Sequence, residues 1–432
     1  MEEKKTVGQR IDGWINLLTG YGMQNKDKTK STNYQHDYYL NEVECRGLFR
    51  SEGIAKRIVE LPTREMTRKG FTIDGDTDGA IVKFYKELKA DVAIRNLLRW
   101  AKVYGGAVAV LWIDDGQTLD QPLNENDIKS IEMIRVYQRW RVDRSQYLNN
   151  DPTSKNFGLP DFFQISPTTG SSFKVHYSRT LMIDGVELPE DVRQSNNGWG
   201  DSVYQATYDF IRRLSTTYGH AEHILQDFVQ KIISIENLQE MIAGGQEALI
   251  IQRLHIMDMS RSILNTILLD SKEKCESTTT SVAGLSDLLE RFSQAVSAVT
   301  GIPMSLLMGQ APKGLNATGE SEVRFWYDNV SSEQEEILLP PIQRLVRLIM
   351  LCKEGPTKGK ELDTWAVNFV PLWQMSEKEV VEIHKGQAEA DRAYIETGVL
   401  EPYEVANARF GGDKYSTETK LEESKEPIAG AQ

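Results

Sequence analysis

Long apolar runs are missing: nowhere in the 432 residues do about 18 apolar side chains stand together. The opening MEEKKTVGQRIDGW carries charges without the apolar centre of a signal peptide. The expectation is a soluble chain, made in the cytoplasm and without a membrane partner. Cysteine is scarce. Cys45, Cys275 and Cys352 are odd in number and far apart, which fits neither a disulfide framework nor zinc-ligand spacing, so they are expected as buried or incidental thiols. Neither a metal nor a cofactor is expected. Cationic charge is in deficit, 50 Lys and Arg against 63 Asp and Glu, for a net charge of −13. That excludes a tight grip on nucleic acid, because affinity for phosphate depends on neutralising cations. It is compatible with an acidic wall past which a duplex slides without sticking.

A second His-x-Ser is also missing. His176-Tyr177-Ser178 has the form that two-histidine phosphodiesterases use in pairs for acid and base work, but His36, His220, His223, His255 and His384 have no Ser or Thr two positions on. The single copy is read as structural, and the chain as not an enzyme. Gly105-Gly106 is followed by no Gly-Lys-Ser/Thr and runs from helix to strand, which excludes a phosphate loop.

What is present is a globular balance of 40% apolar and 26% charged residues, long enough for two or three domains or one elaborate one. A helical period from Leu40 to Val59 closes at Leu61-Pro62. Val92, Ile94, Leu97, Leu98, Ala101 and Val103 form an amphipathic helix, followed by the buried strand Ala107 to Ile113. Runs near Ile131, Phe162 and Phe173 are strand-like, so the fold class is α+β. Ser202 and Gln205 read as a capping box opening a helix. Along it Val203, Thr207, Phe210, Leu214, Thr217, Ala221, Ile224 and Phe228 form one seven-residue seam. The strand-like Lys231 to Ile235 and then a second helix near Leu249 to Leu268 follow. Leu285 to Val299 is helical and ends at Gly301 and Pro303. Gly309 to Gly319 has three glycines and no apolar face, and reads as a mobile loop. From Glu320 the helical period returns, and Pro340-Pro341 is expected to kink or restart it.

The stretches GIPMSLLMGQAPKGLNATGE and FWYDNVSSEQEEILLPPIQRLVRLI resemble the tailed-bacteriophage portal proteins, in the branch sharing a conserved domain of formerly unknown function. FRSEGIAKRIVELPTREMTRKGF and HYSRTLMIDG agree with that family in the same order, and the resemblance extends from about Tyr34 to Phe410.

The resemblance implies a portal fold. Its parts would be a flexible arm at 1–33, an α+β wing at 34–200, stem helices at 201–270 with a clip near 231–245, wing strands with a tunnel loop at 309–319 and a long kinked helix at 320–352 within 271–375, crown helices at 376–410 and a disordered tail at 411–432. It further implies a ring, typically of twelve copies, at one capsid vertex of the virion. There the terminase large subunit docks, double-stranded DNA passes in and later out, and head-completion, major capsid and scaffolding proteins bind. On this reading Gly309, Gln310, Lys313, Gly314, Asn316, Thr318 and Gly319 face the DNA channel, and the seam from Val203 to Phe228 serves oligomerisation. The alternative is a cyclic-nucleotide phosphodiesterase that counters host immune signalling, a function attached to some proteins of related name.

Overall fold

A computed structural model of the chain describes residues 39–144, 149, 151–153, 158, 160–226, 229–234, 248, 251–252, 255, 274–279, 284–309, 316–373 and 377–411. The fold mixes helices and sheets and divides into two units between Phe369 and Val370. The expected arm and nearly all of the expected tail lie outside the described residues.

The larger unit opens with α1 (Glu42–Ser51) and α2 (Gly53–Arg68). Asn41 caps α1 by accepting from the Val43 and Glu44 amides, and the Glu44 carboxylate reaches back to the Asn41 N–H. The single helix expected from Leu40 on is two helices, because Glu52 adopts extended backbone (φ −104, ψ 112) just before Gly53. The expected stop at Pro62 is also corrected: α2 passes through it to Arg68. A proline inside a helix costs about 3 kcal/mol. Ile58, Val59, Leu61 and Met66 are buried on either side of it, at about 1.5–3 kcal/mol for each large side chain, and that sum outweighs the loss.

There follow β1 (Phe71–Ile73), α3 (Ala80–Glu87), α4 (Ala90–Tyr104), β2 (Gly106–Asp114), β3 (Ser130–Gln138), β4 (Val142–Asp143), β5 (Phe162–Ile165), β6 (Phe173–His176) and β7 (Thr180–Asp184). Of the residues its spacing predicts, α4 buries Ile94, Leu97, Leu98, Ala101 and Val103, while Val92 is exposed and Ala93 is buried in its place. It ends at Gly105, whose left-handed φ of 84 suits glycine. The buried β2 is the centre of an antiparallel sheet, β3-β2-β7, in which Ala109 stands opposite Val136 on one side and Leu181 on the other. A second antiparallel sheet, β4-β5-β6, meets it around Val108, Val110, Phe163, Ile165, Val175 and Trp199. Between the strands lies a fully buried ion pair, Arg179 Nη2 to Asp115 Oδ2 at 2.6 Å.

Beyond the sheets come α5 (Glu190–Ser195), α6 (Val203–Gln226), β8 (Val229–Ser234), β9 (Lys274–Thr279), α7 (Leu285–Thr300), α8 (Met304–Met308), α9 (Asn316–Glu333), a π-helical turn (Gln334–Leu338), α10 (Leu339–Leu351) and β10 (Val367–Phe369). β8 and β9 pair antiparallel over six residues each, and β10 pairs antiparallel with β1. Burial pushes the Cys45 thiol up to about 11, the state of an inert thiol.

The smaller unit consists of α11 (Glu377–Glu396) and α12 (Pro402–Phe410). A buried fork joins them: Arg409 donates from Nε to Asp391 Oδ2 at 2.8 Å and from Nη2 to Oδ1 at 2.7 Å. The Arg409 hydrogen bonds hold the Asp391 carboxyl below its ordinary value. The pair's contribution is therefore complete above the unfolded Asp pKa of about 3.9 and is lost as pH falls below it through the folded value. In the full chain, Asp391→Asn should lower the melting temperature of this helix pair at pH 7, and the gap from the parent should close in acid. Circular dichroism across pH checks this; a gap independent of pH would contradict it.

Candidate functional site

The glycine-rich segment is entered from a short fixed helix and left by a long one. Pro303 precedes α8, and Gly309 ends it in left-handed backbone at φ 72. Arg57 of α2 donates from Nε and Nη2 to the Leu306 carbonyl at 3.0 and 2.7 Å, tying α8 to the first helices. Nothing in a lone arginine on a helix announces a carbonyl 249 residues away. Gln310, Lys313 and Gly314 lie outside the described residues.

α9 begins at Asn316, which corrects the expected loop boundary: Asn316, Thr318 and Gly319 belong to a helix start. Amides of a first turn have no intrahelical acceptor, so Gly319 costs less there than in a helix interior, and asparagine is favoured at helix starts. At Pro340-Pro341 the expected restart is found: a π turn interrupts the α-helical register at Gln334–Leu338, and α10 begins at Leu339 with the prolines in its first turn, where missing amide donors cost least. The turn is pinned by buried Gln334, whose Nε2 donates to the Met66 carbonyl at 2.7 Å. Trp326 and Val330 are buried, and Lys102 Nζ meets Glu333 Oε2 at 2.9 Å. Ser321, Glu322, Arg324 and Phe325 are exposed. The helix is thus clamped from Trp326 onward, while residues 321–325 just before it present a mostly exposed face.

The α6 seam is partly where its period places it. Thr207, Leu214 and Ala221 are buried, and Val203, Phe210 and Thr217 are half-buried. Ile224 is helical with no described side chain, and Phe228 lies outside the described residues. Tyr204 and Ile211, which the seam omitted, are also buried. The Tyr204 hydroxyl donates to the Ala55 carbonyl at 3.0 Å. The buried stripe is therefore turned by about one residue toward α2 and α4. Among the described residues the chief helical partner of α6 is α7; the helix expected near 249–268 lies outside them except for 251–252 and 255. The middle of the seam is thus buried within a single chain. The capping box also fails: Ser202 Oγ accepts from Tyr204 N–H at 3.1 Å and donates to the Val103 carbonyl at 2.7 Å, but Gln205 Oε1 accepts from Leu40 N–H.

His176 ends β6. Its Nδ1 lies 2.8 Å from Ser178 Oγ, and that oxygen accepts the Leu123 amide at 2.8 Å. Burial holds the imidazole below its ordinary pKa. His and Ser here bind the turn that leads into β7. Among the described residues no group of His, Cys, Asp or Glu could hold a metal ion, and no helix is long and apolar enough to cross a membrane.

Comparison with known proteins adds to this geometry. A protein of Caulobacter sp. (strain RHG1) named Anti-CBASS protein Acb1 is 29% identical over 400 residues, covering 89% of this chain and 62% of its own length. A protein of the same name from Sphingomonas paeninsulae is 27% identical, covering 90% and 63%. An uncharacterized protein of Haemophilus influenzae is 26% identical over 404 residues, covering 92% and 89%. This chain therefore spans less than two thirds of the two named relatives. Their name corrects the expectation that the chain is not an enzyme, since relatives matched along most of its length are named for acting against CBASS.

Among solved structures, the neck of a native gene transfer agent particle gives a TM-score of 0.45 at 12% identity, covering 84% of this chain and 91% of that one. A portal protein of the HK97 family from Corynebacterium diphtheriae gives 0.38 at 9% identity, covering 77% and 97%. The family model described as phage portal protein matches residues 44–393, a span that holds α2, both three-stranded sheets, the α6–α7 pair and the long helix, and the chain belongs to the phage portal protein family.

Proposed function

We propose that the chain is one subunit of a ring of twelve at a single capsid vertex, and that the segment beginning at Gly309 lines the channel through which double-stranded DNA is packaged and ejected. The observation that carries this reading is the suspension of the segment. On one side α8 is fixed by Arg57, and on the other α9 is buried at Trp326 and Val330, while 321–325 just before them are mostly exposed. On the sequence reading of this glycine-rich stretch, anchors on both sides would let the channel wall adjust while the body of the subunit stays packed. Lys313 is its only cation. One such charge per subunit gives weak, screened phosphate contacts that break and re-form as a duplex moves.

In this reading the two sheets with their covering helices are the wing, α6 with α7 is the stem, the β8–β9 ribbon leads to the clip, and α11 with α12 is the crown. The terminase large subunit and head-completion proteins dock on the ring, and capsid and scaffolding proteins surround it. Deleting residues 309–316 should leave ring assembly unchanged by light scattering and negative-stain images. Packaged DNA in particles should fall to near background, and Lys313→Ala should reduce it less. Full packaging by the deletion would reduce the segment to a connection. A monomeric parent protein would remove the ring itself.

A second reading is a cyclic-nucleotide phosphodiesterase activity that counters host immune signalling. The matched relatives named Anti-CBASS protein Acb1 favour it. Turnover assays on the purified chain decide it.

A further inference from the structure

Away from the suspended loop, the larger unit gathers aromatic and cationic side chains around one groove of about 540 Å³, between α4, the end of β3 and the turn at Thr168. That size falls within the range of about 300–1,000 Å³ typical of sites for small organic ligands. Its walls bring together Trp100 and Tyr104 from α4, Arg135 and Gln138 from β3, Arg141 just beyond it, and Thr168.

The aromatic wall is held in place. Trp100 stands edge-on to Phe49 at 5.6 Å between centroids and leans over Tyr104 at 5.9 Å. The cationic side is less satisfied. The exposed Arg135 guanidinium lies 5.6 Å from the Trp112 ring and pairs with no carboxylate among the described residues. Arg141 reaches Glu42 at 3.3 Å, and the same carboxylate accepts from Gln138 Nε2 at 3.0 Å. Glu42 thus pairs with Arg141 while Arg135 has no carboxylate partner among the described residues, which leaves one guanidinium on this wall uncompensated in a chain of net charge −13.

We propose that this groove binds a nucleotide, its base stacked on Trp100 and Tyr104 and its phosphate held by Arg135 and Arg141. Aromatic faces accept any unpaired base, and guanidinium groups match phosphate oxygens in geometry and charge. Glu42 occupies Arg141 in the free protein, so phosphate and Glu42 compete. The site takes a free nucleotide or an unpaired strand end, because a duplex keeps its base faces stacked.

The test uses the full chain and deoxyadenosine monophosphate, followed by calorimetry and by proton spectra of the nucleotide. Saturable binding is expected, with the base protons shifted upfield by the indole ring. Arg135→Ala should weaken it about tenfold, the loss of one charge-assisted hydrogen bond. Glu42→Gln should tighten it several-fold, a gain that a purely structural role for Glu42 would not produce. Deoxyadenosine alone and inorganic phosphate alone should each bind more weakly than the nucleotide. Four results would overturn the assignment. One is no saturable binding up to about 5 mM nucleotide, and a second is affinity unmoved by both substitutions. The others are inorganic phosphate binding as tightly as the nucleotide, and an acidic peptide such as pentaglutamate binding more tightly than it.

Discussion

Arg179→Met should destabilise the larger unit by about 3–5 kcal/mol, the usual cost of stripping a buried ion of its partner. Arg179 and Asp115 are both fully buried. The guanidinium donates from Nε to the Gln121 carbonyl at 2.8 Å and from Nη2 to Asp115. Asp115 also accepts the amides of Asn124 at 2.8 Å and Gln117 at 3.1 Å. Burial alone would push its carboxyl up, but the Arg179 hydrogen bond and these amides outweigh it and leave the group below its ordinary value. The pair thus closes the loop between β2 and β3 onto the turn before β7. Removing either member leaves the other charge without water, so Asp115→Ala should cost a similar amount. The two losses overlap, and the double variant should cost little more than the larger single one. Urea unfolding followed by tryptophan fluorescence measures all three. Single costs below about 1 kcal/mol, or simple addition in the double variant, would show that water enters the site.

This pair also marks how far the sequence could be read. Asp114-Asp115-Gly116 reads as a turn, and Arg179 follows a strand-like run. Both statements hold, yet neither residue carries a local sign that it is buried. Elements governed by period were legible: the apolar spacing of α4 and the run of small apolar residues in β2 point to the helix and central strand that form. The family was legible too, in the words around Gly301 and Pro340. Long-range partners were not. The α6 stripe predicts that something covers it without saying that α7 does so, because both candidate helices offer apolar faces. The break expected at Pro340-Pro341 is present as a π turn and a new helix start, but those expected at Pro62 and Asn316 fall elsewhere. At Pro62 burial of flanking side chains outweighs what proline costs, and that effect is tertiary. β9, Lys-Cys-Glu-Ser-Thr-Thr, has no apolar alternation and forms only against β8.

Gly185→Ala should destabilise the larger unit by about 3 kcal/mol or more from overpacking. Three glycines from three segments meet there: Gly105 at the end of α4, Gly185 after β7, and Gly200 just before α6. A Cβ on Gly185 would stand 2.2 Å from the Asp201 carbonyl oxygen and 2.5 Å from the Gly105 Cα, and both of these are backbone atoms with no rotamer to yield. The same crossing is laced by hydrogen bonds, Gly185 N–H to Gly105 O at 3.1 Å and a reciprocal pair between Val186 and Asp201 at 2.8 and 2.9 Å. Arg139 Nη1 adds a bond to Gly200 O at 2.9 Å. Because α6 begins at Val203, the crossing sets where that long helix leaves the sheets. An added methyl must therefore either break the bonds or swing the helix. Gly116→Ala is the control. Its φ is 76 with nothing within 4 Å, so it carries only the left-handed backbone cost of about 1–2 kcal/mol. Thermal and urea unfolding of the two variants side by side separate packing from backbone strain. If Gly185→Ala proves no worse than Gly116→Ala, the segments can part by several tenths of an ångström without loss, and the crossing does not fix the direction of α6.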